Sequence, residues 1–156
     1  MKYFVLLFVL TATLLYGQKN ENVVILSEGF ESGVIPSTWT LLDIDNDGEQ
    51  WEMHPADWSD AHTGEYSVAS YSWFNGNVLT PDNWMITPEI ELGTDGKLSY
   101  YVKAIRETYS QEHYQVRLST TGTETADFTE ILVDETLPEG NNEWLLKEAD
   151  LTPYSN

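Results

Sequence analysis

From residue 97 to 104, KLSYYVKA, every second residue is apolar, so Leu98, Tyr100, Val102 and Ala104 fall on one face. The stretch YQVRLS (114–119) repeats the pattern, with Tyr114, Val116 and Leu118 set against Gln115, Arg117 and Ser119. A period of two belongs to strands with one face on a core. Further strands are predicted at 23–26, 38–42, 50–53, 66–72, 129–134 and 144–149, and at 84–92 with a break at Pro88, which has no N–H for a ladder. No ten-residue segment carries a helical stripe. The turn sequences NDG, TGE, TPDN, GTDG and PEGNN separate these runs. The pattern predicts an all-β chain folded as an antiparallel jelly-roll β-sandwich. The closing WLLKEADLTPYSN stops just after its strand. The sheet is therefore expected to lack its last partners, and the chain to be part of a longer protein, because an unpaired central edge invites aggregation.

The N-terminus breaks the alternation. Lys2 precedes an apolar run from Phe4 to Tyr16, and YGQ then supplies a small residue before the polar KNEN. This is the layout of a secretory signal peptide, too short for a span of roughly 20 residues. Residues 1–18 are read as leader and 19–156 as one domain. There is no cysteine, so neither a disulfide nor a lipid-modified cysteine can reinforce or anchor the exported chain, and a metal is the remaining candidate.

The formal charge is −19, and loss of Lys2 with the leader leaves six basic residues against 26 acidic, or −20. Such a surface repels phosphates and anionic lipid, which argues against nucleic-acid or membrane partners, and it attracts divalent cations. With 41% hydrophobic and 13% aromatic residues, the acidity does not imply disorder.

The acidic residues concentrate at LLDIDNDGEQW (41–51), where Asp43, Asp45 and Asp47 alternate before Gly48. The spacing fits the first half of an EF-hand loop, but the twelfth position is His54 and Pro36, Thr38, Thr40 and Pro55 flank it, so no helix–loop–helix forms. On a tight turn, alternate side chains still converge, and Glu49 adds a fourth carboxylate that a hard, oxygen-preferring cation would neutralise. The same residues also suit a solvated hairpin turn in which Gly48 supplies positive φ. A second acidic group, SEGFES (27–32), has Glu28 and Glu31 flanking Phe30. With Phe30 in the core, Gly29 and Glu31 face outward, where Glu31 can reach a metal or simply decorate an acidic edge.

Catalytic patterns are weak. His54, His62 and His113 occur singly, without HExxH, and no GxSxG elbow is present. Among 26 acids some pair always has the look of a glycosidase dyad, which gives that reading little weight. Of six tryptophans, Trp39, Trp51, Trp84 and Trp144 lie in predicted strands and are assigned to the core. Trp58, Trp73 and Phe74 sit in polar surroundings and are the candidates for an exposed contact surface.

Four ordered blocks, EGFESGVIPSTWTLLDIDNDGEQW, AHTGEYSVAS, LTPDNWMITPEIEL and EHYQVRLSTTGTETADFTEILVDET, resemble the cleaved-adhesin domain of gingipain and haemagglutinin polyproteins, related to the choice-of-anchor J domain. The resemblance runs from about residue 24 to the end. It implies a jelly-roll module that binds structural Ca2+, is not an enzyme, and serves adhesion to host or other extracellular proteins at the cell surface or in secretion. It also implies a ligand set of Glu31, Asp43, Asp45, Asp47 and Glu49 with Gly29 as a backbone donor, and a second site using backbone oxygens near His62 and Gly64. The family continues past DLTPY into further strands not seen here, consistent with an incomplete sandwich. The competing expectation is a glycan-binding or targeting module of an extracellular hydrolase, a protease or glycosidase, with its tryptophans as sugar platform.

Overall fold

The computed structural model describes residues 7–13, 22–55 and 61–155. The rest of the leader segment and Trp58 lie outside the described residues. In chain order the strands are β1 (Leu7–Thr13), β2 (Asn22–Glu28), β3 (Thr40–Asp43), β4 (Glu52–Pro55), β5 (Tyr66–Ala69), β6 (Trp73–Phe74), β7 (Asn77–Val78), β8 (Asn83–Ile86), β9 (Lys97–Val102), β10 (His113–Leu118), β11 (Glu130–Thr136) and β12 (Leu145–Asp150). The described helices are single 3-10 turns, and none is long and apolar enough to cross a membrane.

All described pairings are antiparallel. One four-stranded sheet has the order β12-β9-β1-β2, and four ribbons pair β3 with β8, β4 with β5, β6 with β7, and β10 with β11. The all-β class therefore agrees with the period-two pattern. β1 falls within the segment read as leader, and its backbone sets Phe8 opposite Glu28 on one side and Tyr100 on the other.

The alternation of β9 delivers the core. Leu98, Tyr100, Val102 and the following Ala104 are buried, and they meet Phe30, Trp39, Trp51, Val68, Tyr114, Leu137 and Leu151 in one cluster. Phe30 adopts φ 62°, unusual for an aromatic residue, and packs edge-on to Trp39 with ring centroids 5.7 Å apart. The Tyr100 and Tyr114 hydroxyls hydrogen-bond at 3.0 Å inside this core. Burial, set against the bond from Tyr114, pushes the Tyr100 phenol up to about 12, and burial together with the Tyr100 contact also raises Tyr114.

Two predicted strands end early. The run 84–92 stops at Ile86, where Pro88 removes a donor from the ladder, and the run 66–72 stops at Ala69. Trp73 and Phe74 are not in a loop, as their polar surroundings suggested, but in a two-residue ribbon. Asn75 and Gly76, with φ 46° and 88°, make the tight turn between β6 and β7.

Candidate functional site

The aspartate turn leaves the end of β3. Asp43 is the last residue of that strand, and Asn46 and Gly48 take φ 55° and 90°, which bends the chain back on itself. Each aspartate gains a backbone donor: Asp43 Oδ2 accepts the Gly48 N–H at 3.0 Å, Asp47 Oδ1 accepts the Glu49 N–H at 2.9 Å, and Asp45 Oδ1 accepts the distant Asp82 N–H at 3.0 Å. The Ile44 N–H in turn donates to the Asp82 carbonyl at 3.1 Å, so the turn is tied to the segment entering β8.

The result is a cluster in which one oxygen from each of Asp43, Asp45 and Asp47 lies within 4.8 Å of the others. Asp43 Oδ1 is buried without a hydrogen-bond partner among the described residues. Partial burial, and then the charges of Glu52, Asp47 and Asp43, hold the Glu49 carboxyl above its ordinary range. Three carboxylates at this separation and an acceptor with no donor fit a hard cation with oxygen ligands, which calcium satisfies. The EF-hand comparison fails in space as in sequence, since His54 is 3% exposed and its Nδ1 bonds the Tyr71 hydroxyl at 2.7 Å.

Glu31 is engaged elsewhere. Its carboxylate accepts the backbone N–H groups of Glu65 at 2.8 Å and Tyr66 at 3.3 Å, and a Cβ on Gly64 would lie 2.3 Å from it. The second acidic group thus meets the AHTG segment, which groups Glu31 with Gly64. Gly29 precedes Phe30, whose N–H is taken by the Glu28 carboxylate. His62 stacks on Tyr101 with centroids 3.5 Å apart and meets the edge of Trp144.

The candidate contact surface divides likewise. Trp73 is 51% exposed and stands across the ribbon from Val78, itself 63% exposed, whereas Phe74 is half-buried against Tyr71. Trp39 and Trp51 are buried, and Trp84 and Trp144 partly so. Sequence reasoning passed over Asn83, which faces Asp43 across the β3–β8 ladder. Its place in TPDN offered only a turn signal.

Fold and site together define an acidic all-β module whose polar chemistry is concentrated in its turns. The chain belongs to the Cleaved Adhesin Domain family, which it matches over residues 23–151. It is 39% identical over 126 residues to haemagglutinin A of Porphyromonas gingivalis strain W83, covering 78% of this chain and 6% of that protein. It is 41% identical over 114 residues to gingipain R1 of the same species, covering 72% and 7%, and 40% identical over 122 residues to its protease PrtH, covering 74% and 12%. Among solved structures, the K1 cleaved adhesin domain of Lys-gingipain from P. gingivalis W83 superposes with a TM-score of 0.74 at 36% identity, covering 80% of this chain and 79% of that one. The K3 domain of the same protein gives 0.70 at 31%, covering 81% and 79%. The chain spans a small fraction of the length of the curated relatives it matches.

Proposed function

We propose that this chain is a non-catalytic, calcium-stabilised adhesion module of a secreted or cell-surface protein, and that it binds extracellular host or matrix proteins through an exposed surface that includes Trp73. The observation that carries the calcium part is the 4.8 Å cluster of Asp43, Asp45 and Asp47, together with an Asp43 Oδ1 that is buried and has no donor among the described residues. Asp43, Asp45 and Asp47 would hold the ion, with Glu49 beside them. Bound there, calcium neutralises the mutual repulsion of these side chains and supplies no reaction chemistry. The Glu31–Gly64 pairing supports a second site as a separate matter, since neither residue reaches the turn through any described bond. The adhesive part is supported by family membership and by the Trp73–Val78 pair, which offers a solvent-facing aromatic and an aliphatic side chain on a short ribbon.

Chelator titration of the purified protein, followed by thermal melting, tests the first part: the midpoint should fall on chelation and return with added calcium. An unchanged melt would end the calcium reading. Binding of the chain to immobilised matrix proteins, side by side with a glycan array, tests the second. Saturable, Trp73-dependent protein binding supports it, and Trp73-dependent glycan binding alone would replace it with the sugar-platform reading that the flat exposed indole also suits.

A further inference from the structure

The aspartate turn does not stand on one strand. Asp43 and Asn83 are direct partners in the antiparallel β3–β8 ladder, so their side chains leave the same face, with Cβ atoms about 5 Å apart. Asp43 Oδ1 and Asn83 Oδ1 are both buried, and both lack a hydrogen-bond partner among the described residues. Two facing acceptors without a donor repel each other, and a cation between them removes the conflict. The remaining groups of Asn83 are committed: its Nδ2 donates to Ser70 Oγ at 3.0 Å, and its carbonyl accepts the Trp51 indole N–H at 3.2 Å. With Nδ2 on Ser70 Oγ, Oδ1 is the amide atom left over, while the main-chain bond to Trp51 holds the residue in its place on β8. From this geometry we infer that Asn83 is a further ligand of the calcium site, a neutral oxygen supplied by β8 to an ion otherwise held by carboxylates from the turn after β3.

The inference rests on the calcium reading and goes beyond it. A neutral amide oxygen adds to the coordination shell without adding charge, which suits a site already crowded with carboxylates. It would also make the ion a cross-strand tie between β3 and β8.

The test uses the full chain and measures calcium affinity by calorimetry together with melting in calcium and in chelator. Asn83→Ala should weaken calcium binding about tenfold or more. Asn83→Asp, of nearly the same shape, should bind calcium at least as tightly as the wild type and show a larger gap between its two melting temperatures, because the ion-free form then faces two carboxylates. Ser70→Ala, which removes the partner of Nδ2 and leaves Oδ1 in place, should hold affinity within about threefold. If the wild type binds calcium but Asn83→Ala binds it equally well, or both Asn83 variants lose stability by the same amount with and without calcium, Asn83 is a strand residue and the inference falls while the calcium site stands. If the wild type binds no calcium, both fall together.

Discussion

The Glu31 carboxylate occupies the space in which a side chain on Gly64 would begin, 2.3 Å from an ideal Cβ, and Gly64 itself has φ 72°. Replacing Gly64 by alanine therefore incurs both a collision and a left-handed backbone with a Cβ. The substitution should destabilise the fold by about 2–3 kcal/mol. Denaturant unfolding is the check, and Glu31→Ala combined with Gly64→Ala should recover part of the loss, because the collision term then disappears.

Calcium removal should act through the aspartate turn. For free calcium at a hundred times its dissociation constant, a ligand that binds only the folded state contributes about 2.7 kcal/mol. For a chain of this size that is a fall of about 8 °C in Tm on chelation. Asp45→Ala should reduce the calcium-bound midpoint by several degrees and the chelated midpoint far less. Differential scanning calorimetry of both forms decides the matter.

Alkaline pH should unfold the protein through its buried tyrosines. The Tyr100 phenol is raised from its ordinary 10.0 to about 12 in the fold, and Tyr114 is raised as well. A raised acid favours the folded state while it is protonated, so the contribution is complete below about pH 10 and disappears as pH rises through the folded-state value near 12. Melting between pH 8 and pH 12 should show the midpoint holding to about pH 10 and dropping from there. Tyr114→Phe, which removes one of the two raised phenols, should make the drop shallower.

Two tryptophans should separate stability from recognition. Trp39 is buried edge-on to Phe30, and Trp39→Ala should cost about 3–5 kcal/mol. Trp73 is half in solvent, and Trp73→Ala should change stability by about 1 kcal/mol or less while weakening attachment to the extracellular ligand at least tenfold. Unfolding and surface-binding measurements on the two variants should give opposite patterns.

These contrasts also mark what the residues made legible. The face of β9 was readable because alternation is local: Leu98, Tyr100 and Val102 carry it within six residues, and the same holds for Tyr114 and Val116 in β10. The aspartate cluster was readable for the same reason, since its members lie within a single turn. The partners of Glu31 were not, because Glu65 and Tyr66 are more than thirty positions away and nothing in their neighbourhood advertises two backbone donors. Asn83 was hidden by register, because which residue stands opposite Asp43 depends on how β8 slides along β3. The β6–β7 ribbon had a signal, the Asn75-Gly76 pair, but its strands are too short to show alternation.

The bonds that join residues 44 and 45 to Asp82 close a loop of 37 residues, which contains β4 to β7. Bringing such ends together costs about 3 kcal/mol of chain entropy in its length-dependent part alone. That cost falls due before an ion at the turn can meet β8. Anything that loosens the enclosed ribbons should therefore be felt at the proposed calcium site: a substitution at Val68, buried in β5 and carrying no charge, should weaken calcium affinity without touching any of the proposed oxygen ligands.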